Sequence, residues 1–153
     1  MADLAARQAA LVAALVSGGV VPDGFDTERL AVAAAALLRK RARGVANAWP
    51  LLAAGCADAW PATFIDWASG RTPAGALRDG WDFARHLYAS GRLPGLARLE
   101  LAYREALMRY DGDHPPRRRR LPTVRRVGGI TVVGVLGRVF PLPRSGTSAT
   151  RPE

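Results

Sequence analysis

The sequence predicts an α+β fold, with an N-terminal bundle of about five to six helices followed by a small antiparallel β hairpin or three-stranded meander. Three observations carry that expectation. Apolar residues recur at helical spacing through Leu93–Tyr110, where Leu96, Leu99, Tyr103, Ala106, Leu107 and Tyr110 lie opposite Arg98, Glu100, Arg104, Glu105 and Arg109. Helix punctuation divides residues 1–110 into short pieces with Asp, Trp-Pro and Gly at the joints. Beyond residue 122 the pattern changes to β-branched runs, Thr123–Val127 and Ile130–Val135, joined by Gly128-Gly129, a two-residue connection suited to a hairpin turn.

In order, Ala5–Val16 reads as an amphipathic helix carrying Leu4, Leu11 and Leu15 and stopped by Gly18-Gly19. After the Pro22-Asp23-Gly24 turn, Asp26 caps a helix from Thr27 to about Ala48, with Leu30, Ala34, Leu37, Leu38 and Val45 as its apolar face and Gly44 as a point of weakness. Trp49-Pro50 and Trp60-Pro61 each open a further helix, because proline fits the first turn, where its missing N–H costs nothing. Leu77–Ala89 follows with Leu77, Trp81, Ala84, Leu87 and Tyr88 in register, and Gly91 as its C-terminal stop. Pro94 suits the start of the next helix. The segment DGDHPPRRRRLP then reads as a linker, and Arg138–Leu142 as a third short strand after Gly137. The organisation is therefore a helical domain over 1–110, a basic Pro/Arg linker over 111–122, a β element over 123–142 and a disordered tail over 143–153. Three short strands bury too little area to offset their ordering entropy, so they must pack on another body.

Composition narrows the function. The 153 residues hold one domain, and the longest unbroken apolar run, Leu30–Leu38, is far below the roughly 18 residues a membrane span needs. With no basic region before the first apolar stretch, a cytoplasmic location is expected and no membrane partner. Cys56 is the single cysteine and reads as a small core residue, and His86 and His114 lack companions at ligand spacing, so no metal or other cofactor is expected in this chain. Of 22 basic residues all but Lys40 are Arg, a bias that fits a high-GC genome. The net charge of +9 is concentrated, with nine basic and one acidic residue in 115–153. The run Arg117–Arg120 with Arg125 and Arg126 admits three readings: a solvated linker, a docking site for an acidic partner or peptide, or a nucleic-acid contact through phosphate charge.

No catalytic constellation is present. There is no phosphate loop, no G-x-S-x-G elbow and no His paired with a nucleophile, and Asp79 and Asp82 have Arg78 and Arg85 as expected solvated ion-pair partners. The four tryptophans are mainly core candidates. Aromatic residues and Arg also anchor interfaces, so Trp81 with Arg85, and Arg98 with Glu100, are candidate partner-docking residues.

The segments GALRDGWDFARHL (Gly75–Leu87) and LPGLARLELAYREALM (Leu93–Met108) resemble the C-terminal half of a bacterial domain family long labelled DNA-binding. Its members include helical accessory partners of multinuclear non-haem iron-dependent oxidases that modify ribosomally made peptides of the bufferin and methanobactin type. Arg7–Leu15 is similar to the family's opening helix, ANAWPLL at Ala46–Leu52 to its alanine-then-aromatic-proline step, Leu77–Leu87 to its L-x-x-G-x-x-F-x-x-x-L helix, and Leu93–Ala106 to its L-A-R-L-E-x-A segment. The chain departs from the family's R-x-x-x-Y-R-x-N segment, offering only Arg41 or Arg43 and Asn47 as partial matches. The resemblance implies a non-catalytic subunit that binds such an oxidase and presents a precursor peptide, the iron belonging to the partner enzyme. On that expectation the edge of Ile130–Val135, with Ile130, Val132, Val133 and Val135, accepts the peptide as an added strand while Arg125 and Arg126 attract its acidic residues. A DNA-binding regulator using the Arg-rich last quarter is the alternative.

Overall fold

The computed structural model describes residues 2–127, 129–135 and 138–142. Gly128 and Gly137, expected as turn or break residues, and the expected tail over 143–153 lie outside the described residues. Among the described residues six helices come first: α1 (Ala2–Ser17), α2 (Thr27–Ala48), α3 (Pro50–Cys56), α4 (Trp60–Ala68), α5 (Ala76–Ala89) and α6 (Gly95–Leu107), with a 3-10 turn at Ala57–Ala59. Five short strands follow, β1 (Met108–Arg109), β2 (Arg117–Arg118), β3 (Thr123–Val127), β4 (Ile130–Val135) and β5 (Arg138–Leu142). The fold is α+β, as the periodicities predict.

Local chemistry explains the boundaries. Asp26 caps α2 by accepting the Glu28 and Arg29 N–H groups at 3.0 and 3.2 Å. Pro50 and Pro61 sit in the first turns of α3 and α4. Gly91 takes φ +70° after α5, and the Arg92 N–H returns to the Leu87 carbonyl at 2.8 Å, closing the helix end as a glycine stop does. Gly44 does not interrupt α2, which runs unbroken to Ala48.

Trp49, Leu52, Phe64, Trp81, Phe83 and Ala97 centre the core, all without solvent exposure. The Trp49 and Trp81 rings meet edge to face at 5.7 Å, and the Trp49 indole N–H donates to the Leu77 carbonyl at 3.0 Å. Gly80 permits this approach, since a Cβ there would fall 2.2 Å from the Trp49 ring.

Helix α6 corrects the sequence reading. It ends at Leu107, so Tyr110 is not on it, and its buried residues are Ala97, Glu100, Leu101, Ala102 and Ala106, whereas Leu96 is 51% exposed. The reason is its position. α6 packs on α3 and on the sheet, so a stripe of small residues is enclosed instead of the leucine face.

β1 and β2 pair antiparallel, Met108 opposite Arg118 and Arg109 opposite Arg117, so the expected linker is folded back on α6. The Arg119 N–H reaches the Leu107 carbonyl at 2.8 Å, and its guanidinium donates to the Glu105 and Met108 carbonyls at 3.0 Å. The larger sheet is the meander β3-β4-β5. Val127 and Val132 enter the core, and Gly134 meets α6 so closely that a Cβ would lie 2.7 Å from the Ala106 carbonyl oxygen.

Candidate interaction surfaces

The sheet divides the expected peptide-binding residues into two sets. Side chains alternate between faces, and directly paired residues share a face. Val132 is fully buried and is paired with Arg125, and Ile130 is paired with the buried Val127, so Ile130, Val132 and Arg125 belong to the face against α6. Arg125 is half-buried there, its Nε enclosed and without a hydrogen-bond partner among the described residues. Val133, Val135 and Arg126 lie on the outer face. Val124, Val133 and Phe140 form one cross-strand row there, with Val124 and Phe140 more than half exposed. Arg126 and Arg138 flank the row, and the Arg126 Nε donates to the Thr131 hydroxyl at 3.2 Å.

The expected edge is corrected as well. β4 has β3 on one side and β5 on the other, so its own backbone groups are paired and cannot accept an added strand. The outer sides belong to β3 and β5. In β5, Pro141 has no N–H and so occupies a position turned away from β4, as does Val139 two residues earlier. The same alternation leaves the N–H and C=O groups of Val124 and Arg126 directed outward from β3. β3 therefore offers a full donor and acceptor edge, while the β5 edge is blunted by proline.

The candidate docking residues are mostly structural. Trp81 is fully buried and its indole N–H donates to Glu105 Oε1 at 2.9 Å, so it cannot anchor a partner. Glu100 is buried too; Oε2 accepts the Leu52 N–H at 2.8 Å, satisfying a free donor of the first turn of α3, and Oε1 accepts from Arg104 at 3.2 Å. Arg85 turns inward to Glu105 and the Tyr110 carbonyl, and Arg98 donates to the Leu93 carbonyl at 2.9 Å; both stay half-exposed. The expected solvated pairs are also redrawn. Asp79 is buried and takes a two-bond contact from Arg41 at 2.8 and 2.9 Å, not from Arg78. Asp82 accepts the Tyr110 hydroxyl at 2.8 Å, and burial pushes its carboxyl above the usual range.

Beside the Arg41–Asp79 pair lies an apolar groove of about 300 Å³, walled by Leu15, Val16, Leu37, Leu38, Pro73 and Ala76. Leu37 is 43% exposed on its rim, and Leu4, Val12 and Val32 on the same two helices are more exposed still. Leu37 belongs to the apolar face expected for α2, and that face here borders the groove. No group of three or more His, Cys, Asp or Glu side chains among the described residues is placed to hold a metal ion. No helix among them is long and apolar enough to cross a membrane.

Residues 5–89, from α1 through α5, match the family described as SCO6045-like, C-terminal domain. The chain belongs to this family. A UPF0276 protein of Streptomyces avermitilis is 42% identical over 116 residues, which are 75% of this chain and 24% of that protein. The chain thus spans about a quarter of the length of the curated relative it matches. No solved structure matches. The family's description calls the matched segment a C-terminal domain, and it includes α1, the helix that supplies Leu15 and Val16 to the groove.

Proposed function

We propose that this protein is a non-catalytic accessory subunit that binds a larger iron-dependent oxidase through its helical domain and presents a precursor peptide on its sheet. The observation that carries the reading is the relative in which a domain like this one accounts for a quarter of a much longer protein, because a small domain joined to a large body is one that works against that body. The resemblance of Leu77–Leu87 and Leu93–Ala106 to oxidase partner subunits supplies the chemistry of that body. The iron belongs to the partner.

Two surfaces suit the two tasks. The groove of α1 and α2, with Leu37 on its rim, takes an apolar element of the oxidase. It lies within the segment that matches the family model, between helices whose exposed apolar side chains have no cover among the described residues. The β3 edge takes the peptide as an added strand, with its apolar side chains over Val124, Val133 and Phe140 and its acidic ones toward Arg126 and Arg138. Wild type and three variants, affinity-purified from the native host, test the division. Leu37→Asp should lose the large partner. Val124→Pro should keep it and lose the peptide, and Val139→Pro, on the blunted edge, should keep both. Loss of the peptide from Val139→Pro but not from Val124→Pro would overturn the edge assignment, and full retention by Leu37→Asp would overturn the groove.

A further inference from the structure

The β1–β2 ribbon holds a feature that neither task uses. Arg109 and Arg117 are direct cross-strand partners in a ladder of only two residue pairs. Like charges placed directly opposite one another oppose strand pairing, and guanidinium groups cannot relieve the repulsion by losing a proton. Among the described residues neither arginine has a carboxylate within 4 Å or a side-chain hydrogen bond. Both line a cavity of about 300 Å³, together with Asp111, His114 and Pro115.

The carboxylate in this cavity is already engaged. Asp111 Oδ1 accepts the Asp113 and His114 N–H groups at 3.1 and 2.9 Å, and Oδ2 lies 3.2 Å from His114 Nδ1. These bonds hold its carboxyl down to about 2, so it is charged at neutral pH, and both of its oxygens are engaged within the turn. Arg119 and Arg125 extend the positive field from the ribbon toward β3; burial first, then the charges of Arg125 and Arg109, lower the Arg119 guanidinium.

We propose that the cavity between Arg109 and Arg117 is an oxyanion site, in which a carboxylate or phosphate group sits between the two guanidiniums and receives paired N–H···O bonds from them. The bound group supplies the negative charge that the ribbon lacks. The site stands independently of the oxidase reading, since it requires only an oxyanion.

The test uses the full chain at low ionic strength, with sodium phosphate, a tetraglutamate peptide and sodium chloride added at matched ionic strength. Thermal melting and the Nε–H resonances of Arg109 and Arg117 are followed. A saturable rise in melting temperature above the chloride control, with both resonances shifting along the same isotherm, is the expected result. Response to tetraglutamate alone assigns the group to a peptide carboxylate, and response to phosphate alone to a phosphate; either one, or both, supports the site. Arg109→Gln/Arg117→Gln should melt no lower than wild type in chloride, because it removes a repulsion, and should bind at least about tenfold more weakly. A chloride effect equal to that of both oxyanions would overturn the proposal. So would oxyanion-induced shifts that spare the two resonances in the wild-type protein, a reading that does not depend on the variant.

Discussion

Gly80 lies beneath the Trp49 indole, where a Cβ would fall 2.2 Å from the ring and the Trp49 N–H holds the Leu77 carbonyl one turn earlier. Gly80→Ala therefore forces the buried Trp49 ring away from α5. A loss of about 2 kcal/mol or more is expected in urea unfolding, the upper range for overpacking. This glycine was visible in the sequence as part of a helical motif, but its partner was not, because the contact joins Gly80 in α5 to Trp49 at the junction of α2 and α3. The same holds for Asp79. Sequence spacing offered Arg78, whereas the fold delivers Arg41 from α2 with two bonds, the Arg71 carbonyl taking a third from the same guanidinium at 2.7 Å. Both members of the pair are nearly enclosed, with side-chain exposures of 10% and 3%. Asp79→Asn should then cost about 3 kcal/mol, because it leaves the Arg41 charge buried and unpaired. Asp111 makes a pH-dependent contribution. Its carboxyl is lowered from 3.8 to about 2 in the folded chain, so the stability it adds is complete above the unfolded value and is lost as pH falls through the folded one. The difference in urea midpoint between wild type and Asp111→Ala should be constant above about pH 5 and shrink on acidification toward pH 2.

Strand positions were legible at the scale of the element because β-branched runs and glycine pairs mark them without ambiguity, and β3, β4 and β5 fall at 123–127, 130–135 and 138–142 as expected. The accessible edge was misplaced. A meander that includes Arg138–Leu142 places Ile130–Val135 in its centre, so the free edge belongs to β3; Pro141 is tolerated in β5 because its position is turned away from β4. The face of α6 was misread for a related reason. Periodicity finds one buried stripe, but a helix enclosed by helices on one side and a sheet on another buries Ala97, Ala102 and Ala106 while leaving Leu96 outside. Gly134 sets how closely the sheet docks. Gly134→Val should lift β4 from the Ala106 carbonyl and lower the melting temperature, with the loss of fixed packing read from protection of the Val132 amide in hydrogen exchange.

Across the whole molecule, helices and sheet share a core, since Val127 and Val132 belong to the cluster that holds Trp49 and Trp81. Unfolding should be one cooperative transition by tryptophan fluorescence and by far-UV circular dichroism alike. Deleting residues 121–143 should unfold or strongly destabilise the chain, which is why single edge substitutions are the better probes of peptide capture. The distribution of charge was legible throughout, but its role in folding was not: Arg119 is turned back to hold α6 carbonyls, while Arg109 and Arg117 face one another over a cavity. The proposed role for this domain is to serve a larger iron enzyme. The most direct measurement is purification of the tagged wild-type chain from its native host after nuclease treatment, with co-purifying proteins identified by mass spectrometry and iron quantified per chain. A larger protein in near-equal amount carrying bound iron, with a short peptide, is the expected result. Recovery of the chain alone or with a metal-free partner, or of a chain whose only companion was nucleic acid removed by the nuclease, would contradict it.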